Sequence, residues 1–124
     1  MKTLLLLFIF IICSCSHGDK EIKHTFIAVD NKQKCILKID QFRHENWKTE
    51  FDVKPRALQL LNKQVLLVGL ENGYAEVSQL NGAVLKRVKG YENIQSAYRF
   101  PDGRTLLGQD GDGLKFYILD KSDK

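Results

Sequence analysis

The residues most suited to binding a cation form a short acidic segment near the C-terminal end of the sequence. This segment, Gln109 to Gly113, has the sequence Gln-Asp-Gly-Asp-Gly. A calcium loop gathers several oxygen ligands, and an Asp-x-Asp-Gly sequence could supply two of them. The later acidic ligand of such a loop is missing, because aromatic and apolar residues stand downstream at Phe116 to Ile118. Asp and Gly are also typical of hairpin turns. The segment therefore favours a turn, with a cation site as the alternative.

Other combinations of reactive residues are sparse. His17, His24 and His44 share no metal-ligand spacing with one another or with Cys35. The sequence contains neither a Gly-x-Ser-x-Gly elbow nor a phosphate-binding Gly loop. We therefore predict no catalytic residues, no metal and no cofactor, and expect the protein not to be an enzyme.

Cys35 and Trp47 each have a structural and a chemical interpretation. Cys35 lies in a predicted strand, where a small half-buried apolar residue is favoured over a reactive thiol. Trp47 is predicted to be a packing anchor between repeats, with a sugar-stacking platform as the alternative. Both predictions assign these residues to the fold and not to a site.

The charge of the chain is modestly basic, with 19 Lys and Arg against 15 Asp and Glu. The basic residues are scattered and form no block, and no aromatic-interleaved basic stripe is present. This pattern indicates a solvated surface. We therefore expect no nucleic-acid partner.

The most regular segment of the chain is Val65 to Leu80. Val65 to Val68 is a continuous apolar run, which is typical of a strand covered on both faces. Asn72-Gly73 follows and predicts a type I′ hairpin turn, because Asn and Gly best tolerate positive φ. Tyr74 to Leu80 then alternates as a second strand.

This hairpin is repeated at a period of about 40 residues. A shift of 40 places Leu66 on Phe26 in one direction and on Leu106 in the other, and the three segments align without a gap. The predicted turns fall at Asn31-Lys32-Gln33, Asn72-Gly73 and Asp112-Gly113. A period near 40 with four short strands per unit is typical of propeller blades.

Further short strands complete an all-β prediction for residues 24–124, since no helical period of useful length occurs there. The third repeat lacks an outer strand and the first lacks a clear inner one. The additional strands are predicted at His24–Val29, around Ile36 and Ile39, and at Trp47–Phe51, Ala57–Leu61, Ala83–Val88 and Ile94–Phe100.

The pattern resembles β-propeller repeat proteins over residues 24–120. Arg99 to Leu107 looks like the strand–turn–strand of many propeller repeats, and Tyr74 to Val88 is similar to the PQQ-like (quinoprotein-like) repeat. Asp40 and Trp47 match the acidic residue and the tryptophan of that repeat, whereas Leu80 and Arg87 depart from it in the second unit. The resemblance implies antiparallel four-stranded blades, roughly two and a half of them. Such repeats are structural, and many propellers that carry them bind no quinone.

The N-terminus is similar to that of an exported bacterial lipoprotein. A short positive region precedes an apolar stretch from Leu4 to Ile12, which is too short to span a bilayer. The following Ile12-Cys13-Ser14-Cys15 resembles a lipobox, which implies a signal peptide at 1–14, a lipid on Cys15 and a polar tether at 15–23. Ordinary cleavage after Ser16 and an uncleaved anchor are the alternatives. Either cleavage leaves Cys35 as the only thiol, so no disulfide within the chain is expected.

The length raises a question of closure, because a propeller needs at least four blades, or roughly 160 residues at this period. An open array leaves unpaired strand edges, which favour association. The chain could be a truncated member of a longer family or could complete a ring as a homo-oligomer. Alternatively, the missing strands could be swapped from Ser16–Lys23 or from the C-terminal tail.

Taken together, these features predict a non-enzymatic, lipid-anchored protein of the bacterial cell envelope. Its partners are expected to be the membrane, through the lipid on Cys15, and one or more proteins bound by a propeller-type scaffold. Ser16 after the lipidated cysteine implies, by resemblance, the outer membrane facing the periplasm. The alternatives are a remnant of a longer propeller protein and a quinoprotein-like enzyme fragment.

Overall fold

The computed structural model describes residues 24–124, which form ten antiparallel strands and no helix. The predicted signal peptide at 1–14, the lipidation site at Cys15 and the tether at 15–23 lie outside the described residues. Within that range there is accordingly no apolar helix long enough to cross a membrane. The strands are β1 (Thr25–Asp30), β2 (Cys35–Asp40), β3 (Glu45–Glu50), β4 (Pro55–Leu60), β5 (Val65–Leu70), β6 (Gly73–Ser78), β7 (Val84–Lys89), β8 (Ile94–Arg99), β9 (Thr105–Gln109) and β10 (Lys115–Leu119).

The strands form three meandering sheets, in which each strand pairs with its neighbour in the chain. The first sheet is β1-β2-β3, the central sheet is β4-β5-β6-β7 and the third sheet is β8-β9-β10. Short connections join successive strands, as expected for antiparallel neighbours. The all-β prediction is confirmed. No closed barrel or propeller is formed by the described strands.

The central sheet is packed between the other two sheets, and β5 contributes to both contacts. Leu66, Val68 and Leu70 belong to a core that includes Ile36 and Trp47 of the first sheet. Leu67 points the other way, into a second core formed with the third sheet. We call the side of a sheet that faces the next sheet along the chain its forward face and the opposite side its rear face. By the same convention, the forward face of the third sheet and the rear face of the first sheet are the sides that point away from the central sheet. The prediction that β5 is covered on both faces is confirmed.

The repeat is real, but its register differs from the gapless 40-residue alignment. Leu60 pairs with Leu66, and Arg99 pairs with Thr105, so these strand pairs are offset by 39 residues. The counterpart of Leu66 is therefore Thr105, and Leu106 lies on the opposite face of its sheet. The three hairpin turns also differ in length, spanning four (31–34), two (71–72) and five (110–114) residues. Turn length is invisible to an ungapped alignment.

The turn of the central hairpin is shifted by one residue from the prediction. Leu70 pairs with Gly73, so the two turn residues are Glu71 and Asn72. Gly73 has a positive φ of 146°, whereas neither Glu71 nor Asn72 has a positive φ. The predicted type I′ turn at Asn72-Gly73 is therefore wrong. Gly73 is needed instead at the start of β6, where a Cβ atom would overlap the carbonyl oxygen of Val88.

A second turn recurs at the end of the third strand of the repeat in all three sheets. Its first residue donates a backbone N–H to a carbonyl four or five residues later, and a residue near its end has positive φ. A side-chain oxygen of the first residue also accepts backbone N–H groups within the turn. The turns run from Asp40 to His44, from Ser78 to Ala83 and from Asp120 to Lys124, with positive φ at Arg43, Gly82 and Asp123.

The outer sheets lack one strand each relative to the central sheet. The hairpin β1-β2 corresponds to β5-β6, so the first sheet has no described counterpart of β4, the first strand of the central sheet. The third sheet begins with the counterpart of β4 and has no described counterpart of β7, the last strand of the central sheet. This distribution was predicted from the sequence and is confirmed within residues 24–124.

Replacing Gly73 with Ala is expected to destabilise the protein by about 2–4 kcal/mol, because the new Cβ meets the Val88 backbone and φ is unfavourable for an L-residue. Gly90→Ala is the matched control: φ is +113°, but within residues 24–124 no atom beyond Gly90 and its two chain neighbours lies within 4 Å of the new Cβ. It should cost about 1 kcal/mol. Urea unfolding followed by circular dichroism measures both. Equal losses would contradict the role of the Val88 contact.

Candidate binding surface

The forward face of the third sheet carries an apolar surface that no described part of the protein covers. Its central residues are Tyr98 on β8, Leu106 on β9, and Phe116 and Ile118 on β10. Phe116 is 66% exposed, Ile118 is 58% exposed and Tyr98 is 47% exposed. Contiguous exposed apolar side chains of this size mark interaction sites more often than isolated ones do.

Strand alternation explains why these side chains share one face. Tyr117 and Leu119 of β10 belong to the core with the central sheet, so Phe116 and Ile118 must point outward. The register then places Ile118, Leu106 and Tyr98 in one row across the three strands. Strand β10 is thus apolar on both faces, which is the pattern of a strand with cover on both sides.

Aromatic and cationic side chains extend this surface at one end. The rings of Tyr98 and Phe100 meet edge to face, with centroids 5.4 Å apart. The guanidinium of Arg104 lies 5.5 Å from the centroid of Phe100. Asp102 holds that guanidinium with an ion pair of 2.8 Å. The surface therefore combines an apolar centre with a polar end, as binding surfaces commonly do.

The register of the repeat identifies this surface as the counterpart of a buried one. Leu106 corresponds to Leu67 and Phe116 corresponds to Tyr74, and both central-sheet residues are buried against the third sheet. In the same register, Tyr98 corresponds to Gln59 and Ile118 corresponds to Glu76. Two positions that are polar in the covered face are therefore apolar in the exposed one. A surface exposed only to water would be expected to carry more polar residues than its covered counterpart, not fewer.

The contact between the central and third sheets is fixed by polar groups around its apolar centre. Arg99 donates to Glu76 at 2.8 Å and to the Thr105 hydroxyl at 2.8 Å. The side chain of Gln59 bonds both backbone groups of Arg99, at 2.6 and 3.1 Å. The bond to Thr105 lies within the third sheet, whereas the partly buried bonds to Glu76 and with Gln59 cross to the central sheet and orient the two sheets.

The C-terminal turn closes the same contact. Asp123 accepts hydrogen bonds from the hydroxyl of Tyr74 and from the ammonium of Lys86. Burial raises the pKa of Tyr74, and the neighbouring Asp123 raises it further. For Asp123 itself, burial acts to raise the pKa, but the bonds from Lys86 and Tyr74 outweigh it and leave the pKa below its ordinary value.

Two grooves lie where the sheets meet, and several of the polar groups that line them are engaged in hydrogen bonds. A groove of about 510 Å³ between the central and third sheets is lined by Gln59, Glu76 and Arg99, which bond to one another. A groove of about 420 Å³ between the first and central sheets includes Lys38, which donates to the carbonyl of Gln79.

The acidic segment Gln109 to Gly113 forms the end of β9 and a hairpin turn. The backbone N–H of Asp110 donates to the carbonyl of Asn93 at 3.0 Å, and Asp112 is exposed. No group of three or more His, Cys, Asp or Glu side chains in residues 24–124 is arranged to hold a metal ion. The segment joins the paired strands β9 and β10, so the predicted hairpin turn is confirmed.

The histidines are not brought together in the described residues. His44 contacts Asp40 at 3.0 Å in an exposed turn, where the carboxylate of Asp40 also accepts the backbone N–H of His44. His24 lies at the start of β1, and His17 lies outside the described residues. The pKa of Asp40 is lowered chiefly by the backbone hydrogen bond from His44.

Cys35 and Trp47 are structural, as predicted. Cys35 is a free, buried cysteine, and burial raises the pKa of its thiol, which disfavours the nucleophilic thiolate. Trp47 is buried in the core of the first and central sheets, and its Nε1 donates to the carbonyl of Gln79 at 3.0 Å. A Cβ atom at Gly82 would lie 2.8 Å from the Trp47 ring, so this close approach requires glycine.

The exposed surface of the third sheet was not predicted as a site. The sequence signal was the run Phe116 to Leu119, which places apolar or aromatic side chains on both faces of a strand. This signal can be interpreted only with the correct register. The 40-residue shift aligns Leu106 with Leu66, whose side chain lies on the opposite face of its sheet.

Comparisons with protein-family models, with curated proteins and with solved structures gave no match to this chain. Residues 24–124 thus form an all-β protein of three stacked antiparallel sheets, whose third sheet carries an exposed apolar face.

Asp123→Asn is expected to lower the free energy of unfolding by about 1 kcal/mol at pH 7, because it weakens the bonds to Tyr74 and Lys86. The folded pKa of Asp123 lies below its ordinary value of 3.8. Its contribution is therefore complete above that value and is lost as the pH falls through the folded pKa.

Urea unfolding at pH 7 and near pH 2.5 measures the difference between wild type and variant, which should shrink at the lower pH. Asp112→Asn, in the exposed hairpin turn, is the control and should change stability little at either pH. A difference that stayed constant from pH 7 to pH 2.5 would contradict an ionised Asp123 at this contact.

Proposed function

We propose that this protein is a non-enzymatic, protein-binding module built from propeller-type repeats. On this proposal the three sheets are consecutive blades, one complete and two lacking a strand in the described residues. Three features support it: the four-stranded meander of the central sheet, the face-to-face stacking of the sheets and the turn that recurs after the third strand of each repeat.

The observation that carries the proposal is the forward face of the third sheet. Phe116, Ile118 and Tyr98 are exposed at positions whose counterparts are covered in the central sheet. Burying one large apolar side chain contributes about 1.5–3 kcal/mol, so covering this face by a partner supplies a substantial driving force. A protein partner suits the surface, since its shape is a pleated sheet face and not a concave pocket.

The strand edge beside this face supports the same function. Strand β10 pairs with β9, and no other strand of residues 24–124 pairs with its second edge. The corresponding strands β2 and β6 each pair on both edges. An exposed strand edge next to an apolar face is a common recognition surface for an added strand.

The proposal includes a location in the bacterial cell envelope. A lipid on Cys15 would hold the protein on the membrane, with residues 15–23 as the tether and the sheets facing the periplasm. The support is the lipobox-like sequence that follows the apolar segment. The binding surface and the anchor are separate parts of the proposal, and each has its own test.

The binding test uses crosslinking in cells that naturally express the protein. Wild type should give a discrete crosslinked complex, and the double variant Phe116→Glu/Ile118→Glu should lose it, because burying unpaired charge in the interface is unfavourable. Leu80→Glu is the matched control, since Leu80 is 85% exposed in the turn after β6, away from this face. An unchanged complex in the folded double variant would overturn the proposal.

The anchor test compares wild type with Cys15→Ala. Fractionation of cells should place wild type with the membranes and should shift most of the variant to the soluble fraction, because the lipid would no longer be attached. Cys35→Ala is the control for loss of a thiol and should stay with the membranes. Equal membrane association of Cys15→Ala and wild type would contradict lipid anchoring.

A further inference from the structure

We infer that the partner covering the forward face of the third sheet is a second copy of this chain, which docks through the rear face of its first sheet. The inference rests on the proposed binding function and names its partner. It follows from how the sheets of one chain contact each other.

Both contacts inside the chain join the same two kinds of surface. The forward face of the first sheet packs on the rear face of the central sheet, and the forward face of the central sheet packs on the rear face of the third sheet. Two surfaces of these kinds then have no partner sheet among residues 24–124. They are the forward face of the third sheet and the rear face of the first sheet.

The rear face of the first sheet matches the surface that a forward face covers. Phe26, which is 54% exposed, corresponds to Leu66, and Ile39 corresponds to Val77. Leu66 and Val77 are buried where the central sheet meets the first sheet. Phe26 and Ile39 pair directly across β1 and β2, so their side chains share this face. The first sheet therefore presents apolar groups at the positions that a preceding sheet would contact.

The contact is head-to-tail, because it joins two different surfaces. Such heterologous contacts form a closed ring when the rotation between copies closes, and an open filament when it does not. Residues 24–124 supply three sheets per copy, so two copies supply six, which lies within the four to eight blades typical of closed propellers. Three copies would supply nine and exceed that range. The inferred assembly is thus a dimer in which each third sheet covers the first sheet of the other copy.

The primary measurement is the mass of the protein as purified from the cells that express it, by light scattering after size exclusion, corrected for any bound detergent. Wild type is expected at twice the chain mass. Phe116→Glu alters the forward face of the third sheet, and Phe26→Glu alters the rear face of the first sheet. Each variant alone should dimerise at least about tenfold more weakly, because a charge enters each interface. Leu80→Glu is the control and should remain a dimer.

Mixing the two variants distinguishes the head-to-tail arrangement from a symmetric one. A mixed dimer retains one unaltered contact, between the third sheet of Phe26→Glu and the first sheet of Phe116→Glu. The mixture should therefore dimerise more tightly than either variant alone. Circular dichroism and urea midpoints establish that both variants are folded, and Phe116→Ser and Phe26→Ser replace any glutamate variant that is not.

Several results would overturn the inference. Dimers of Phe26→Glu as tight as wild type would indicate that two third sheets meet each other, and a mixture no tighter than its components would exclude the head-to-tail contact. A monomeric wild type would also overturn it. The protein-binding function would then depend on the crosslinking experiment alone, where a complex of another mass supports a different partner and no complex at all removes both proposals.

Discussion

The structure depends on covering the central sheet from both sides. Strand β5 sends Leu66, Val68 and Leu70 into one core and Leu67 into the other, so its side chains belong to two interfaces at once. Each of these buried side chains contributes about 1.5–3 kcal/mol relative to exposure. An isolated four-stranded sheet with this sequence would expose both apolar faces to water. The first and third sheets are therefore required for the central sheet to be stable.

Polar contacts at the margins set how the sheets lie on one another. Asp52, in the connection between the first and central sheets, pairs with Lys89 at 2.8 Å and with Arg87 at 3.4 Å. The Thr49 hydroxyl donates to the carbonyl of Gly82 at 2.6 Å, which also joins the first and central sheets. Apolar burial is not directional, so these bonds select one alignment among those that the cores alone would permit.

The sequence predicted the strands well, because their signals are local. The apolar run at Val65 to Val68 and the alternation after Tyr74 both reflect which faces of a strand are covered. The Asn72-Gly73 turn was misplaced by one residue, because Gly73 is required by the Val88 backbone across the sheet and not by the turn itself. That constraint comes from a neighbouring strand, which a local turn motif cannot reveal.

The candidate surface could not be predicted for a related reason. Whether Phe116 and Ile118 are core or surface depends on what lies beyond β10, and no residue near them in the sequence specifies it. The bonds of Asp123 to Tyr74 and Lys86 join residues far apart in the chain, so the spacing of residues in the sequence does not predict these bonds. By contrast, Trp47 was correctly assigned to packing, since a single large aromatic residue in a strand is more often buried than exposed.

The repeat also explains why the third sheet is the informative one. Its rear face is satisfied by the central sheet, and its forward face repeats, with more apolar residues, a surface that is buried one repeat earlier. The terminal repeats of natural stacks usually present a polar outer face. The last described sheet instead presents Phe116, Ile118 and Tyr98, which is why its function is sought in association.

The central claim is that the three sheets form one stack with the central sheet as its most protected layer, and native-state hydrogen exchange tests it most directly. Backbone amides of β5 and β6 should exchange only through global unfolding, with a free energy equal to that from urea unfolding. Amides of β1 and β10, which each pair with one strand only among residues 24–124, should exchange faster. If the β5 and β6 amides instead exchanged well below the global free energy, or the third sheet protected its amides independently of them, the account of a single stack would be contradicted.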